Sequence, residues 1–208
     1  MPPNELKTQY SMSFSTGGLF YNESLLIVDG YFSTNDWTLT RKSALEKNSI
    51  QSRTESSVKR RVREICSRLE LLSQQQLTLI QDGSRSEQQY LLWLAICKRH
   101  IFIQEFAVEI IREKFLRMDV LLNVQEYDAF YQKKALWHNE LDQLQKSTRN
   151  KLRQVLFKIL REAEIISDSC MILPALLTPE LVQAIATDDP QLFRVFPISD
   201  MDIQTWLK

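Results

Sequence analysis

The chain has 208 residues, 44% of them hydrophobic and 25% charged, and its 26 basic and 26 acidic residues give no net charge. This is an ordinary composition for a soluble globular protein. The most apolar run, Tyr90–Cys97, is far shorter than the roughly 20 residues of a membrane-spanning helix, and the first residues do not resemble a signal peptide. An odd number of cysteines, three, favours reduced thiols over a disulfide framework. We therefore expect a cytoplasmic protein with no membrane contact.

Taken in chain order, the sequence predicts an all-α fold. Asp36, Ser84, Asn123 and Thr178 are helix-start residues that precede amphipathic or apolar stretches. We expect a single compact multi-helix globule over residues 1–208. Its predicted parts are a first helix-turn-helix module at about 36–72, core helices at about 84–118, a second helix-turn-helix module at about 123–163, and an acidic helical segment at 164–208. The core stretch is one long buried helix or two consecutive ones, and a short wing-like hairpin after the second module is an open alternative.

One pattern occurs twice in the chain, in Ser57–Leu71 and again in Ser147–Ala163. At an offset of 90 positions, serine, basic and apolar residues match without a gap, and each stretch predicts a basic amphipathic helix that begins near its serine. The charge is concentrated accordingly, since residues 41–68 and residues 146–161 each carry a net charge of +6. Each patch alone is as readily a solvated helix face, but the matched pair favours a duplicated module that binds a polyanion.

The polar faces of the two basic helices form the candidate binding surface. A helical wheel places four residues of the first helix on its outward face: Arg60, Arg61, Glu64 and Arg68. Basic side chains neutralise phosphates, serines at helix starts add phosphate contacts, and Arg, Asn or Gln near a helix start reads base edges. The candidate DNA-binding residues are Ser57, Lys59, Arg60, Arg61, Arg63, Arg68, Ser147, Arg149, Asn150, Lys151, Gln154, Lys158 and Arg161. We expect the first helix to grip phosphate more strongly and the second, through Asn150 and Gln154, to carry any sequence preference.

The sequence offers little for catalysis. It contains no P-loop, no Gly-rich nucleotide fingerprint and no nucleophile elbow. Cys97 and His100 have the spacing of half a metal site but no second pair, so we interpret both as buried structural residues. We therefore predict a non-enzymatic protein without catalytic residues, metal, cofactor or small-molecule substrate.

Several strings along the chain resemble one protein family. They include Gly17-Gly18-Leu19 with Asn22-Glu23-Ser24-Leu25, the apolar run from Tyr90 to Cys97, and Ser147-Thr-Arg-Asn-Lys-Leu-Arg-Gln-Val-Leu-Phe157. On these residues the chain resembles the BrxA family, a core component of BREX (bacteriophage exclusion) phage-defence systems. The resemblance implies an all-α protein with two positively charged helix-turn-helix motifs that binds double-stranded DNA. It also implies action beside a DNA methyltransferase, an alkaline-phosphatase-like protein and ATPases.

The leading hypothesis is a monomeric, non-enzymatic subunit of a BREX-type system that binds double-stranded DNA through two recognition helices and has other BREX proteins as partners. Two alternatives stay open. One is a helical scaffold or adaptor that binds other phage-defence subunits, which the acidic segment 164–208 favours. The other is an RNA-binding helical protein of the antitermination type.

Overall fold

Helices account for the regular secondary structure of this chain. The computed structural model describes residues 9–15, 17–46 and 54–207, and these residues form twelve α-helices and no β-strand. The helices are α1 (Tyr21–Thr34), α2 (Trp37–Glu46), α3 (Glu55–Leu69), α4 (Gln74–Asp82), α5 (Arg85–Arg99), α6 (Ile101–Phe106), α7 (Glu113–Leu116), α8 (Val124–Ala135), α9 (Asn139–Asp142), α10 (Lys146–Glu162), α11 (Pro179–Asp188) and α12 (Asp200–Trp206). The predicted all-α class is confirmed. No helix of the described residues is long and apolar enough to cross a membrane.

Several helices begin where the sequence predicts. Asp36 precedes α2, and its Oδ1 accepts a hydrogen bond from the backbone N of Thr38 at 2.6 Å. Ser84 forms a capping box with Glu87 at the start of α5, and the Thr178 hydroxyl caps α11. These side chains satisfy backbone N–H groups that have no partner within the helix, which is why such residues mark helix starts.

The two basic helices begin earlier than predicted. Thr54, not a serine, caps α3, and its Oγ1 accepts from the backbone N of Ser57 at 3.3 Å. Helix α10 follows Gln145, whose side chain makes no capping hydrogen bond, so the predicted cap at Ser147 or Thr148 is wrong. Both serines therefore lie within the first helical turn and not at the N-cap.

Helix α5 is the centre of the core. Every residue from Tyr90 to Cys97 is at most 6% exposed, and the indole N–H of Trp93 donates to the carbonyl of Val195 at 3.0 Å. The predicted core stretch consists of two consecutive helical segments, because the backbone breaks at His100 between α5 and α6. Beyond the break, a π-helical segment, Ala107–Arg112, joins α6 to α7. Helices α1, α3, α4 and α10 pack against α5.

The apolar stripes of α3 and α10 face the core as predicted. The buried stripe of α3 and the turn after it comprises Val58, Val62, Ile65, Cys66, Leu69 and Leu72. The stripe of α10 and the residue after it comprises Leu152, Val155, Leu156, Phe157, Ile159, Leu160 and Ala163. Because the burial of apolar side chains is the main stabilising term in folding, these stripes fix which faces of the two basic helices remain for solvent.

A buried polar network corrects one prediction about α3. Glu64 and Arg68, predicted to point outward, are 8% and 3% exposed. Glu64 Oε1 lies 3.0 Å from both Arg68 Nε and His100 Nε2, and Arg68 Nη1 donates to the carbonyl of Gly18 at 2.9 Å. Burial alone would raise the pKa of Glu64, but the hydrogen bond with His100 and the charge of Arg68 outweigh it and hold that pKa below its ordinary value. Arg68 is therefore a core residue with no surface left for DNA.

The segment after α10 reverses direction without forming a strand hairpin. It makes two isolated antiparallel bridges, Ile166 to Ile172 and Leu121 to Met171, so the wing-like hairpin is reduced to single bridges in the described residues. The predicted turn of the first helix-turn-helix module falls in residues 47–53, outside the described residues. In the second module, the short helix α9 lies between α8 and α10. The helix-turn-helix description of both modules stays a prediction.

Candidate nucleic-acid interface

The two basic helices open onto one cleft, which we call the interhelical cleft. It has a volume of about 780 Å³ and is lined by the segment before α1, the start of α1, and parts of α3, α5 and α10. Its basic residues are Arg61, Arg85, Lys151, Lys158 and Arg161, and its acidic residues are Glu23, Glu162 and Glu164. The predicted first helix supplies one of these basic residues and the predicted second helix supplies three. The sequence repeat therefore produces one shared basic depression.

The Gly17-Gly18-Leu19 segment ties the two basic helices together at this cleft. Arg68 of α3 donates to the carbonyl of Gly18, while Glu162 Oε2 of α10 accepts from the backbone N of Leu19 at 2.6 Å. A Cβ added at Gly18 would lie 2.8 Å from that same Glu162 oxygen, so a side chain there would displace the carboxylate from its hydrogen bond with Leu19. The tight glycine segment thus holds α3 and α10 at a fixed separation.

Two aromatic residues form part of the cleft wall. Phe20 has a φ of 58°, a left-handed backbone conformation that is costly for a bulky residue. The centre of its ring lies 5.9 Å from Arg61 Cζ and 5.4 Å from Arg68 Cζ. The Arg85 guanidinium lies 5.2 Å from the centre of the Tyr21 ring. These cation–π contacts orient basic groups along the wall.

A second depression, the serine-lined cleft, continues the basic surface along the other side of α3. It has a volume of about 510 Å³ and contains Arg60, Arg63 and Arg99 with the buried Glu64. Four serines complete it: Ser11, Ser13, Ser15 and Ser67. Since Ser15 borders both clefts, the two depressions adjoin, and together they contain eight basic residues.

The structure divides the predicted site residues into three groups. Six of them line the two clefts: Arg60, Arg61, Arg63, Lys151, Lys158 and Arg161. Four more lie on the helices outside the clefts and retain exposure: Lys59, Ser147, Asn150 and Gln154. Lys59 among these pairs with Glu55 one turn away at 2.5 Å.

The third group is engaged in holding the fold. Arg68 is buried, and Ser57 is bonded to the capping Thr54. The guanidinium of Arg149 donates to the carbonyls of Leu144 at 2.7 Å and Asp142 at 2.5 Å, which secures the connection before α10. Their predicted DNA contacts would compete with these hydrogen bonds, so we leave all three out of the interface proposed below.

Two basic residues of the surface were missed by sequence reasoning. Arg85 and Arg99 stand at the two ends of α5, a helix whose apolar composition identifies it only as core. Charged side chains at the ends of a buried helix usually reach solvent, so their positions at the two ends of α5 were the signal in the sequence that could have predicted their exposure.

Several cations of this surface have no described carboxylate partner, although the Arg161 guanidinium donates to the carbonyl of Phe157 and to the Sγ of Cys170. Among the described residues, no carboxylate forms an ion pair with Arg60, Arg63, Arg85, Lys151 or Arg161. The other two basic residues of the interhelical cleft have only long pairs, Arg61 with Glu23 at 3.9 Å and Lys158 with Glu162 at 3.5 Å. Such exposed pairs contribute little stability and are readily exchanged for another anion.

The fold and this surface define a class of protein: an all-α protein with two basic helices that border one basic cleft. The chain belongs to the BrxA family, whose family model matches residues 8–189. This confirms the resemblance seen in the sequence.

Two relatives carry the name "BREX protein BrxA". One, from Bacillus cereus (strain H3081.97), is 26% identical over 123 residues, which span 59% of this chain and 62% of that protein. The other, from Escherichia coli O9:H4 (strain HS), is 25% identical over 147 residues, 71% of this chain and 69% of that protein. The chain thus spans less than two thirds of the Bacillus relative's length.

A solved structure has the same fold. It is an uncharacterized protein from Magnetospirillum magneticum, which superposes with a TM-score of 0.77 at 20% sequence identity. The match covers 91% of this chain and 100% of that one. At this level of identity the likeness is one of fold alone.

Proposed function

We propose that this chain is a non-enzymatic, monomeric subunit of a BREX phage-defence system that binds double-stranded DNA. The observation that carries the proposal is the convergence of α3 and α10 on one basic surface with free cations. Membership of the BrxA family supplies the biological setting. Other BREX proteins are the expected partners, by analogy with the names of the two relatives.

The contacts we propose are mainly to phosphate. Six of the eight basic residues on the surface are arginines, whose planar guanidinium groups suit phosphate oxygens. A protein that neutralises phosphates releases counterions, so its affinity for DNA falls with salt by about 0.9 log units per neutralised phosphate and per log unit of salt. Asn150 and Gln154 lie outside the clefts, and a sequence preference carried by them stays a prediction.

The geometry favours one duplex per chain. Because α3 and α10 border the same cleft, one duplex laid across the surface meets both helices. This differs from a pair of independent recognition helices in separate grooves. Substitutions on α3 and substitutions on α10 should then each remove contacts to the same duplex, and their effects on the free energy of binding should add.

The test is a salt titration of binding to a blunt duplex. We would compare the wild type with Arg60→Gln/Arg63→Gln on α3 and with Lys151→Gln/Lys158→Gln on α10. A matched control is Arg117→Gln/Lys133→Gln, two exposed cations that line a depression with no residue in common with either cleft.

Each interface pair is expected to weaken binding and to reduce the salt slope by up to about 1.8, while the control pair leaves both unchanged. If both interface pairs bind as the wild type does across the titration, the proposal is wrong. Competition with a structured RNA tests the RNA-binding alternative, since tighter binding to RNA than to the duplex would favour it.

The adaptor alternative has one specific observation in its favour. An apolar groove of about 490 Å³ lies between α11 and Trp206, lined in part by Val182 and Ala186. Removal of the C-terminal segment is a poor test, because α11 is part of the fold: the side-chain amide of Gln76 donates to the carbonyl of Ala184 at 3.1 Å. Ala186→Glu is the better variant. If it lowers the recovery of other BREX proteins in co-purification and leaves duplex binding unchanged, the adaptor role is supported.

A further inference from the structure

The interhelical cleft has the size of a small-ligand site. Its volume of about 780 Å³ falls within the roughly 300–1,000 Å³ of pockets that hold cofactors and other small molecules. A duplex lies on such a depression from outside and does not fill it. Something of the size of one or two nucleotides fits within.

The charges in the cleft suit a ligand with both an anionic end and hydrogen-bond donors. Arg85, Lys151 and Arg161 reach it from two helices and form no ion pair with a described residue. Glu164 also lines the cleft, is exposed, and has no described ion-pair partner. Unpaired cations attract a phosphate, whereas a free carboxylate repels it and accepts hydrogen bonds from amino or hydroxyl groups. A purely anionic ligand would therefore leave Glu164 without a favourable contact.

The cleft wall adds surfaces on which a planar group stacks. The Arg85 guanidinium lies 5.2 Å from the centre of the Tyr21 ring, and the Arg61 guanidinium lies 5.9 Å from the centre of the Phe20 ring. Aromatic rings and arginine planes are the usual stacking partners of unpaired bases. At the cleft floor, Gln89 is 5% exposed, and its Oε1 has no hydrogen-bond partner among the described residues. The Gln89 Nε2 donates to the carbonyl of Glu162 at 2.7 Å, which holds this amide in place beneath the cleft.

From these observations we infer that the interhelical cleft binds a nucleoside phosphate, with the phosphate on Lys151 and Arg161 and the base stacked beside Tyr21. The ligand is either a free nucleotide or an unpaired nucleotide at the end of a DNA strand, which present the same chemistry. The second source rests on the proposed function, because the strand would be delivered by DNA bound on the surrounding surface. The first source does not depend on it.

The probe for the test is dAMP with a fluorescent anthraniloyl group, titrated with the full chain and followed by anisotropy. Unlabelled dAMP, deoxyadenosine and inorganic phosphate serve as competitors. We expect dAMP to compete more than about tenfold better than deoxyadenosine or inorganic phosphate, because dAMP makes the stacking contact and the phosphate contact together and each of its parts makes only one. Lys151→Gln/Arg161→Gln is expected to weaken binding of the probe by at least about tenfold, and Arg117→Gln/Lys133→Gln to leave it unchanged.

Two DNA arms distinguish the sources of the nucleotide. One duplex is blunt, and the other has a single unpaired 5′-phosphorylated nucleotide. Displacement of the probe by the second duplex, and not by the blunt one, identifies the strand end as the ligand; no displacement by either identifies a free nucleotide. Both results support the inference.

The inference is overturned if neither dAMP nor the second duplex shows saturable binding at the cleft up to millimolar concentration. It is also overturned if inorganic phosphate competes as well as dAMP, since the cleft would then recognise an anion alone. Because Lys151 is exposed, the single variant Lys151→Gln keeps the test valid if the double variant is unstable. Binding of the blunt duplex is measured separately, so the failure of the proposed function and the failure of this inference give different results.

Discussion

Arg68 and Lys158 occupy matching positions in the sequence repeat and have opposite roles in the structure. Arg68 is 3% exposed and bonded to Glu64 and to the carbonyl of Gly18, whereas the Lys158 side chain is 58% exposed and borders the interhelical cleft. Substitution of each by methionine, which preserves much of the aliphatic stem, separates a structural role from a binding role.

The expected stability changes differ severalfold. Removal of one member of a buried ion pair costs about 3–5 kcal/mol, because the partner carboxylate stays buried. In Arg68→Met this cost is offset in part, since Arg68 Nη2 is already buried without a hydrogen-bond partner, a burden of about 1–3 kcal/mol that the substitution relieves. We expect a net loss of about 2–3 kcal/mol in the free energy of unfolding. Lys158→Met gives up one exposed pair with Glu162, worth about 0.3–0.5 kcal/mol.

Urea unfolding followed by circular dichroism measures both changes, and duplex binding is measured well below the unfolding transition. We expect Arg68→Met to be destabilised and to bind DNA as the wild type does, and Lys158→Met to be stable and to bind more weakly. A loss below about 1 kcal/mol for Arg68→Met, or weaker DNA binding by this variant while it is fully folded, would refute the buried role assigned to Arg68.

Two further predictions concern titratable groups. The hydrogen bond from Thr178 holds the pKa of Glu87 below its ordinary value, so Glu87 contributes stability above the unfolded-state pKa of about 4.3 that is lost as the pH falls through the folded-state pKa. Glu87→Gln should therefore be about 1 kcal/mol less stable at neutral pH and lose less stability on acidification, as measured by urea unfolding; an unchanged pH profile would contradict this. Burial raises the pKa of Cys66 to about 11 and that of Cys97 well above its ordinary value, whereas Cys170 is partly exposed. A thiol reagent should label Cys170 in the folded protein and the other two only after unfolding, and equal labelling rates would count against the packing described above.

Fold class and most helix starts were predictable because they depend on local signals. The apolar stripes of α3 and α10 and the caps at Asp36, Ser84 and Thr178 follow from residue spacing and side-chain chemistry within a few positions. The cap of α3 was placed wrongly because Thr54 and the two serines after it are all suitable capping residues, and the sequence does not rank them.

The roles of individual charges were less predictable because they depend on distant contacts. A helical wheel cannot show that Arg68 reaches the carbonyl of Gly18, fifty positions earlier in the chain. For the same reason, the nine basic residues of 41–68 overstate the number of free cations there, since Arg68 is paired with Glu64 in the core. Arg85 and Arg99 reach the binding surface only through the packing of α5 against its neighbours. Long-range packing places the two matching helices on one surface, to which each contributes three basic residues and α5 contributes two.

The central claim is that α3 and α10 contact one duplex through a single surface. The most direct test is the salt slope of blunt-duplex binding by a variant that combines Arg60→Gln, Arg63→Gln, Lys151→Gln and Lys158→Gln. We predict that the reductions of the two pairs add, so that the slope falls by up to about 3.6 relative to the wild type. The claim would be contradicted if the salt slope of the combined variant were as steep as that of the wild type. It would also be contradicted if that slope were as steep as the slope of either two-residue variant.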